Sequence, residues 1–112
     1  MRADDRVRIL HMIDAAESVE RFTAARTRAD LETDEMLLFA VVHAVELIGE
    51  AASKVSDDTQ AQASEIPWGD ITGMRNRLIH GYFDVDFDIL WKTVRDEIPP
   101  LLDELRALVS RP

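Results

Sequence analysis

Eight consecutive residues, Arg75-Asn76-Arg77-Leu78-Ile79-His80-Gly81-Tyr82, gather a fixed cation, an imidazole and a phenol in a sequence with few other groups suited to catalysis. Arginine stays charged at any working pH and can bind a phosphate through two parallel hydrogen bonds. Histidine is the side chain best placed to move a proton near neutral pH. A fixed cation beside a proton carrier suits cleavage of an RNA phosphodiester, so Arg75 and His80 are the candidate catalytic residues.

Helical spacing predicts where these two side chains point. Pro67 suits the first turn of a helix and Gly81 suits its end, so the sequence predicts one helix from about Trp68 to His80. At 100° per residue, Arg75 then lies in the middle of the apolar face and points about 140° away from His80. One helix therefore does not aim both side chains at one atom.

Two interpretations of Arg75 follow from this geometry. A buried arginine is almost always paired, and Glu46 and Glu50 of a neighbouring helix are the candidate partners. Alternatively, Arg75 reaches into a cleft that a second helix or a second subunit completes. His80 has a simple alternative as well, because a histidine at a helix end often only caps the last carbonyl groups.

The motif resembles the Arg-x4-His-x-Tyr signature of the HepT-like branch of the HEPN superfamily, in which a polar residue follows the arginine. Arg75, Asn76, His80 and Tyr82 match this signature position by position. Further similar segments occur in the same order as in that family: Leu47-Ile48-Gly49-Glu50-Ala51-Ala52, Ile66-Pro67-Trp68, Gly73-Met74-Arg75-Asn76 and Ile98-Pro99-Pro100-Leu101. The resemblance therefore covers nearly the whole chain.

The resemblance implies a concrete function. HEPN toxins are metal-independent endoribonucleases whose arginine and histidine act at a dimer cleft, which here implies catalysis by Arg75 and His80 with Asn76 in support. A homodimer would also bring together side chains that diverge on one helix. HepT proteins pair with a minimal nucleotidyltransferase antitoxin that adenylylates the motif tyrosine, here Tyr82. No cofactor and no metal is implied.

Composition sets the remaining limits. A chain of 112 residues is long enough for one core, so residues 1–112 are predicted to form a single domain. The absence of cysteine, of a signal peptide and of a long uninterrupted apolar run predicts a cytoplasmic protein without a membrane segment. The net charge of −9 argues against a simple nucleic-acid-binding module. It does not exclude a nuclease, since residues 71–83 contain no acidic side chain.

Apolar periodicity predicts helices through most of the chain. Asp4 or Asp5 is predicted to cap a first helix that runs to about Arg26 and turns Val7, Leu10, Ile13, Ala16 and Phe22 inward. Residues 26–30 are predicted to be a connection. Thr33 is predicted to cap a central helix from about Asp34 to Val55, whose apolar side includes Leu37, Leu38, Val41, Val45, Leu47, Ile48 and Ala52. Its polar side holds His43, Glu46, Glu50 and Lys54, which suit a salt-bridged surface better than a metal site.

The C-terminal third is predicted to begin with Asp84 or Asp86 as a helix cap and to kink or restart at Pro99-Pro100. Residues 56–65 are predicted to form a short helix or a loop. Together these segments predict an all-α, up-and-down bundle of four to five helices. The main functional prediction is an endoribonuclease toxin that cleaves RNA. The alternative is a non-catalytic helical partner, or a nucleotide-binding module, of a nucleotidyltransferase.

Overall fold

The computed structural model describes residues 1–81 and 84–112, and helices dominate them. Three helical rods form the bundle: α1 (Ala3–Thr23), α3 (Glu35–Ser53), and a third rod of α7 (Phe87–Lys92), a π-helical turn (Thr93–Glu97) and α8 (Ile98–Val109). The shorter elements are α2 (Arg28–Thr33), α4 (Asp57–Gln62), α5 (Trp68–Thr72), α6 (Met74–Leu78) and the antiparallel strands β1 (Ile79–His80) and β2 (Asp84–Val85). The predicted all-α bundle is confirmed, and α5 with α6 forms its fourth, shorter rod.

The buried face of α1 differs from the predicted one. Val7, Leu10 and Phe22, predicted to point inward, are exposed. Ile13 and Ala16, also predicted to point inward, are buried as expected, and Ile9, Met12, Ala15 and Val19 complete the face that packs on α3 and α8. Val7 and Leu10 lie about 200° and 100° around the helix from the fully buried Ile9. The small side chains of Ala15 and Ala16 on the buried face allow a neighbouring helix to pack closely. On α3 the predicted apolar side is largely buried, but Leu47 is exposed.

Helix α2 replaces the predicted connection over residues 26–30. Thr27 and Asp30 form a capping box, in which the Thr27 N–H donates to the Asp30 carboxylate at 2.7 Å. Leu31 is buried and fastens this short helix to the core. The cap of α3 is Asp34 rather than Thr33, because Asp34 accepts a hydrogen bond from the Leu37 N–H at 3.1 Å. Local capping therefore decides both boundaries.

Asp5 has a different role from the predicted helix cap. The residue before α1 is Arg2, which makes no side-chain capping bond, whereas Asp5 is buried within the first turn. Its carboxylate accepts hydrogen bonds from the Ser56 N–H, the Ser56 hydroxyl and the Thr59 hydroxyl. Asp5 therefore ties the start of α1 to the start of α4.

The third rod restarts at Pro99-Pro100, as predicted. These prolines occupy the first turn of α8, where a missing N–H leaves no intrahelical bond unmade. In the turn before them the Ile98 N–H donates to the Thr93 carbonyl, five residues back. This wider π-helical turn lets the rod continue past a site where proline would otherwise clash with the preceding turn.

The predicted helix from Trp68 to His80 is broken in the structure. It divides at Gly73 into α5 and α6, and after Leu78 the chain becomes β1. The Asp86 N–H donates to the Leu78 carbonyl oxygen at 2.7 Å, and β1 pairs with β2. Hydrogen bonds to the segment of β2 and Asp86 therefore replace the helical hydrogen bonds predicted for residues 78–80. Gly81, predicted to stop the helix, instead follows β1 with a φ of 75°, which favours glycine.

Two contacts fix the broken segment on the bundle. The Trp68 indole is buried and donates to the Ala63 carbonyl at 3.0 Å. Gly49 of α3 faces α5 so closely that an added Cβ would lie 3.3 Å from the Ile71 carbonyl oxygen. The close approach of α5 to α3 sets the position of α6 and hence of the motif arginine.

Helix α3 is apolar and long enough, by length and composition, to cross a membrane, with a mean hydropathy of 1.6 over its most apolar window. Core helices of soluble proteins meet the same criteria. Here half of that window is buried inside the bundle, against α1 above all. Its composition is therefore explained by its central place in the core.

Candidate active site

Arg75 lies on α6 with its side chain 51% exposed, so the prediction that it sits within the apolar face is wrong. The cause is the break at Gly73, which gives α6 its own orientation. The predicted pairing with α3 is confirmed for Glu46, whose carboxylate accepts from the Arg75 Nε at 2.9 Å. Glu50 lines the same groove without bonding to the guanidinium in the described part of the chain.

This arrangement leaves most of the guanidinium available. Arginine carries five N–H donors, and the bond to Glu46 uses the one on Nε. Among the described residues, no acceptor bonds to its two terminal nitrogens. Glu46 therefore orients the guanidinium and leaves its terminal nitrogens, the edge suited to a phosphate, without a partner among the described residues.

His80 lies on β1 and is 57% exposed, rather than at a helix end as predicted. Its Nε2 is 3.6 Å from the Asp86 carboxylate, which also caps α7 by accepting from the Ile89 N–H at 3.0 Å. The pKa of Asp86 lies below its ordinary value, mainly because of that Ile89 bond and, in smaller part, because of His80. An anion therefore stands beside the imidazole.

Arg75 and His80 line different grooves of the described chain. The Arg75 groove is bordered by α3 residues and Thr72. The His80 groove, about 430 Å³ in volume, is lined by Arg77, Ile89, Lys92, Thr93 and Glu97. The structure therefore does not bring the two motif side chains together within one chain. Sequence spacing also predicts that they diverge, although it derives this from a continuous helix that does not exist.

The other predicted site residues are less informative. Asn76 is exposed beside Arg75 at the surface of α6. Tyr82, the predicted modification site, lies outside the described residues. Among the described residues, no group of three or more His, Asp or Glu side chains is arranged to hold a metal ion, and Glu46, considered with His43, is paired with Arg75.

Sequence reasoning missed three residues near His80. Asp86 is considered only as a helix cap, and Arg77 and Lys92 are given no role. Arg77 donates to the Asp70 carbonyl at 3.1 Å and lies 3.7 Å from the Glu97 carboxylate. Lys92, one of two lysines in the chain, lies a helical turn beyond Ile89, and only the fold shows that it shares a groove with His80.

Comparison with known proteins identifies the family. The family model described as "Ribonuclease HepT-like" matches residues 12–108. A "Probable ribonuclease HepT" of Thermococcus cleftensis is 41% identical over 95 residues, which cover 85% of this chain and 86% of the relative. A "Putative RNase" of Methanocaldococcus jannaschii is 31% identical over 107 residues, covering 96% and 98%. No solved structure matches the chain. As the resemblance of the motif predicts, this chain belongs to the ribonuclease HepT-like family.

Proposed function

We propose that this protein is a metal-independent endoribonuclease and the toxin of a toxin–antitoxin pair, with Arg75 and His80 as its catalytic residues. The observation that carries the proposal is the Arg-x4-His-x-Tyr motif in a chain that a ribonuclease family model matches over residues 12–108. The exposure of both side chains supports it, since a group that contacts RNA has to reach the surface.

The proposed reaction uses the substrate's own 2′-hydroxyl as the nucleophile. His80 takes the proton of this hydroxyl while its oxygen attacks the adjacent phosphorus. Arg75 stabilises the negative charge that develops on the phosphorane, and Asn76 orients the guanidinium or the phosphate. The bond from phosphorus to the 5′-oxygen then breaks, and that oxygen receives a proton from the imidazolium. The products are a 2′,3′-cyclic phosphate and a 5′-hydroxyl.

The active unit in this proposal is a cytoplasmic homodimer in which Arg75 of one subunit acts with His80 of the other. The separate grooves of Arg75 and His80 support it. Helix α3, which supplies Glu46, also exposes Met36 and Leu47, two apolar side chains suited to an interface.

A mixing experiment tests the composite site directly. Arg75→Ala and His80→Ala homodimers should each be inactive. If each site takes one residue from each subunit, a mixed dimer keeps one intact site and loses the other. Equimolar mixing with subunit exchange should therefore restore about a quarter of the wild-type activity. No recovery, with exchange shown by native mass spectrometry, would mean that both residues act from the same chain.

The chain offers a matched control for Arg75. Arg106 donates to Glu17 at 2.9 Å and the two side chains are 50% and 37% exposed, nearly the values of the Arg75–Glu46 pair. Both pairs lie at the surface, so either arginine should contribute at most about 1 kcal/mol to stability. Arg75→Ala should abolish RNA cleavage in the presence of EDTA, whereas Arg106→Ala should cleave normally. Equal loss in both variants would contradict the catalytic role.

Regulation by a minimal nucleotidyltransferase completes the proposal. An adenylate on Tyr82 would add a bulky anion two residues after His80 and compete with the substrate phosphate. Incubation with the partner and ATP should add one or more AMP masses at Tyr82 and stop cleavage. Tyr82→Phe should escape both effects. An active partner that leaves Tyr82 unmodified would refute this regulation while leaving the nuclease proposal intact.

The second candidate function is a non-catalytic partner or nucleotide-binding module of the nucleotidyltransferase. The Arg75–Glu46 ion pair favours it, because it gives Arg75 a structural partner without any substrate. In that case RNA should stay uncleaved by wild type and variants alike. The purified chain should still form a stable complex with the nucleotidyltransferase in size-exclusion chromatography.

A further inference from the structure

A second groove lies beside the His80 groove on the surface of the third rod. It is about 460 Å³ in volume and is lined by Arg28, Asp88, Trp91, Lys92, Arg95 and Asp96. Lys92 lines both grooves, so they adjoin at this side chain, and together they extend from His80 over α7 and the π-helical turn. We call this surface the α7 track.

The charge of the α7 track differs from that of the whole protein. The complete chain has 13 basic and 22 acidic side chains, whereas the track is lined by four basic side chains and three acidic ones, besides His80 and the Asp86 carboxylate next to it. Arg28 is held by Asp88 at 2.6 Å. Within the described residues, no carboxylate pairs with Lys92 or with Arg95. These two cations are therefore available to an incoming anion.

An aromatic surface lies beside these cations. The Arg95 guanidinium is 5.6 Å from the centre of the Trp91 ring, in cation–π contact, and the indole is partly exposed. Aromatic side chains with adjacent cations are the usual platform for bases of single-stranded nucleic acid. A repeated phosphate charge with a base attached is the ligand that this combination fits.

We infer that the α7 track binds the single-stranded RNA that flanks the scissile phosphate. Lys92 contacts a phosphate of the flanking strand, and a base stacks on the Trp91–Arg95 pair. This inference rests on the proposed nuclease function, because it is the position of His80 that orients the track relative to the cleaved bond. It explains how a protein with a net charge of −9 holds RNA, through a local surface from which most of the acidic side chains are absent.

Substrate length separates the track from the chemistry. The dinucleotide UpU spans only the cleaved bond, whereas a single-stranded oligouridine also covers the track. In Lys92→Gln and Arg95→Gln the ratio of kcat/KM for the oligouridine to that for UpU should fall about tenfold. Lys92→Gln should also reduce the salt dependence of oligouridine binding by about one unit in a log–log plot. Trp91→Leu should lower the same ratio. Because the Trp91 ring is partly buried, this variant also changes packing, so the exposed Lys92 and Arg95 variants decide the test.

Lys54→Gln and Arg8→Gln are the matched controls. Both side chains line a groove between α1 and α3, away from the α7 track, and neither forms an ion pair with a described residue. Both variants should keep the wild-type ratio. An unchanged ratio in Lys92→Gln and Arg95→Gln, or an equal loss in the control variants, would overturn the inference.

A binding measurement distinguishes failure of the track from failure of the proposed function. Uncleavable 2′-O-methyl oligouridine should quench the tryptophan fluorescence of the full chain, in which Trp91 is partly exposed and Trp68 is buried, and Lys92→Gln should weaken its binding about tenfold. Such binding without any RNA cleavage would refute the nuclease and keep the track. RNA cleavage by wild type with no binding loss in the variants would refute the track and keep the nuclease.

Discussion

Replacing Asp5 by alanine should lower the free energy of unfolding by about 3 kcal/mol, although the residue lies in the first turn of α1. Its carboxylate is 2% exposed and accepts three hydrogen bonds, at 2.9 and 2.6 Å from Ser56 and at 2.6 Å from Thr59. A hydrogen bond to a charged group contributes about 1.5–3 kcal/mol. The total is smaller than three such bonds because the variant no longer buries a charge and the two hydroxyls, 3.4 Å apart, can bond to each other.

The loss should depend on pH in a defined direction. Burial raises the pKa of Asp5, but the hydrogen bonds from Ser56 and Thr59 outweigh burial and hold the pKa below its ordinary value of 3.8. A carboxyl whose folded pKa is lowered stabilises the fold above its unfolded pKa, and this stabilisation is lost as the pH falls through the folded pKa. The difference between wild type and Asp5→Ala should be constant from neutral pH to about pH 4 and shrink below it.

Urea unfolding followed by far-ultraviolet circular dichroism, at fixed protein concentration, measures this difference. Asp4→Ala is the matched control, since Asp4 carries the same charge in the same turn and is exposed. It should cost about 1 kcal/mol or less. A cost of Asp5→Ala no greater than that of Asp4→Ala, or a deficit that persists unchanged at pH 3, would contradict the role given to the buried Asp5 carboxylate.

Three further predictions concern the motif and the core. Asp86→Asn keeps a good helix cap but removes a carboxylate whose pKa lies below its ordinary value, mainly because of its hydrogen bond from the Ile89 N–H. The variant should therefore be less stable than wild type at neutral pH in urea unfolding, and this difference should shrink as the pH falls through the folded pKa of Asp86. Gly81→Ala should lower the free energy of unfolding by about 1 kcal/mol in the same urea assay, because a φ of 75° is strained for alanine. Ile9→Ala should cost about 2–5 kcal/mol and Leu10→Ala less than about 1 kcal/mol, which tests the buried face of α1. Equal losses of unfolding free energy at these two positions would contradict the assignment of the buried face of α1.

The rods of the bundle could be predicted from sequence because their apolar positions repeat at helical spacing over many turns. The exceptions have local causes. Leu10 is as apolar as Ile9, so the spacing of apolar residues does not show which of two neighbouring faces of α1 packs on α3. In the structure the packed face is the one that contains Ile9 and the small residues Ala15 and Ala16. The capping box of Thr27 and Asp30 is short and polar, so α2 resembles a loop in composition.

The candidate site was harder to predict than the fold. The residues of the motif and the Glu46 partner of Arg75 could be predicted, since they depend on side-chain type and on charge pairing between helices. The change from α6 to β1 could not, because it depends on a bond from the Asp86 N–H to the Leu78 carbonyl, eight residues back. Lys92 lines the same groove as His80 only because the chain leaves the helix at Leu78 and places His80 on β1.

The contacts that hold the third rod join the two ends of the chain, so this rod packs late. Arg6 donates to the Val109 carbonyl and Arg106 to Glu17, so these contacts join residues 103 and 89 positions apart. Contacts at such separation close late, and a chain folds from its N-terminal part while it is being made. The third rod carries Lys92 and extends the segment that carries Asp86. A growing chain therefore cannot close these contacts until the sequence up to Val109 has been added, so the third rod, and Lys92 with it, takes its final place on α1 only at the end of synthesis.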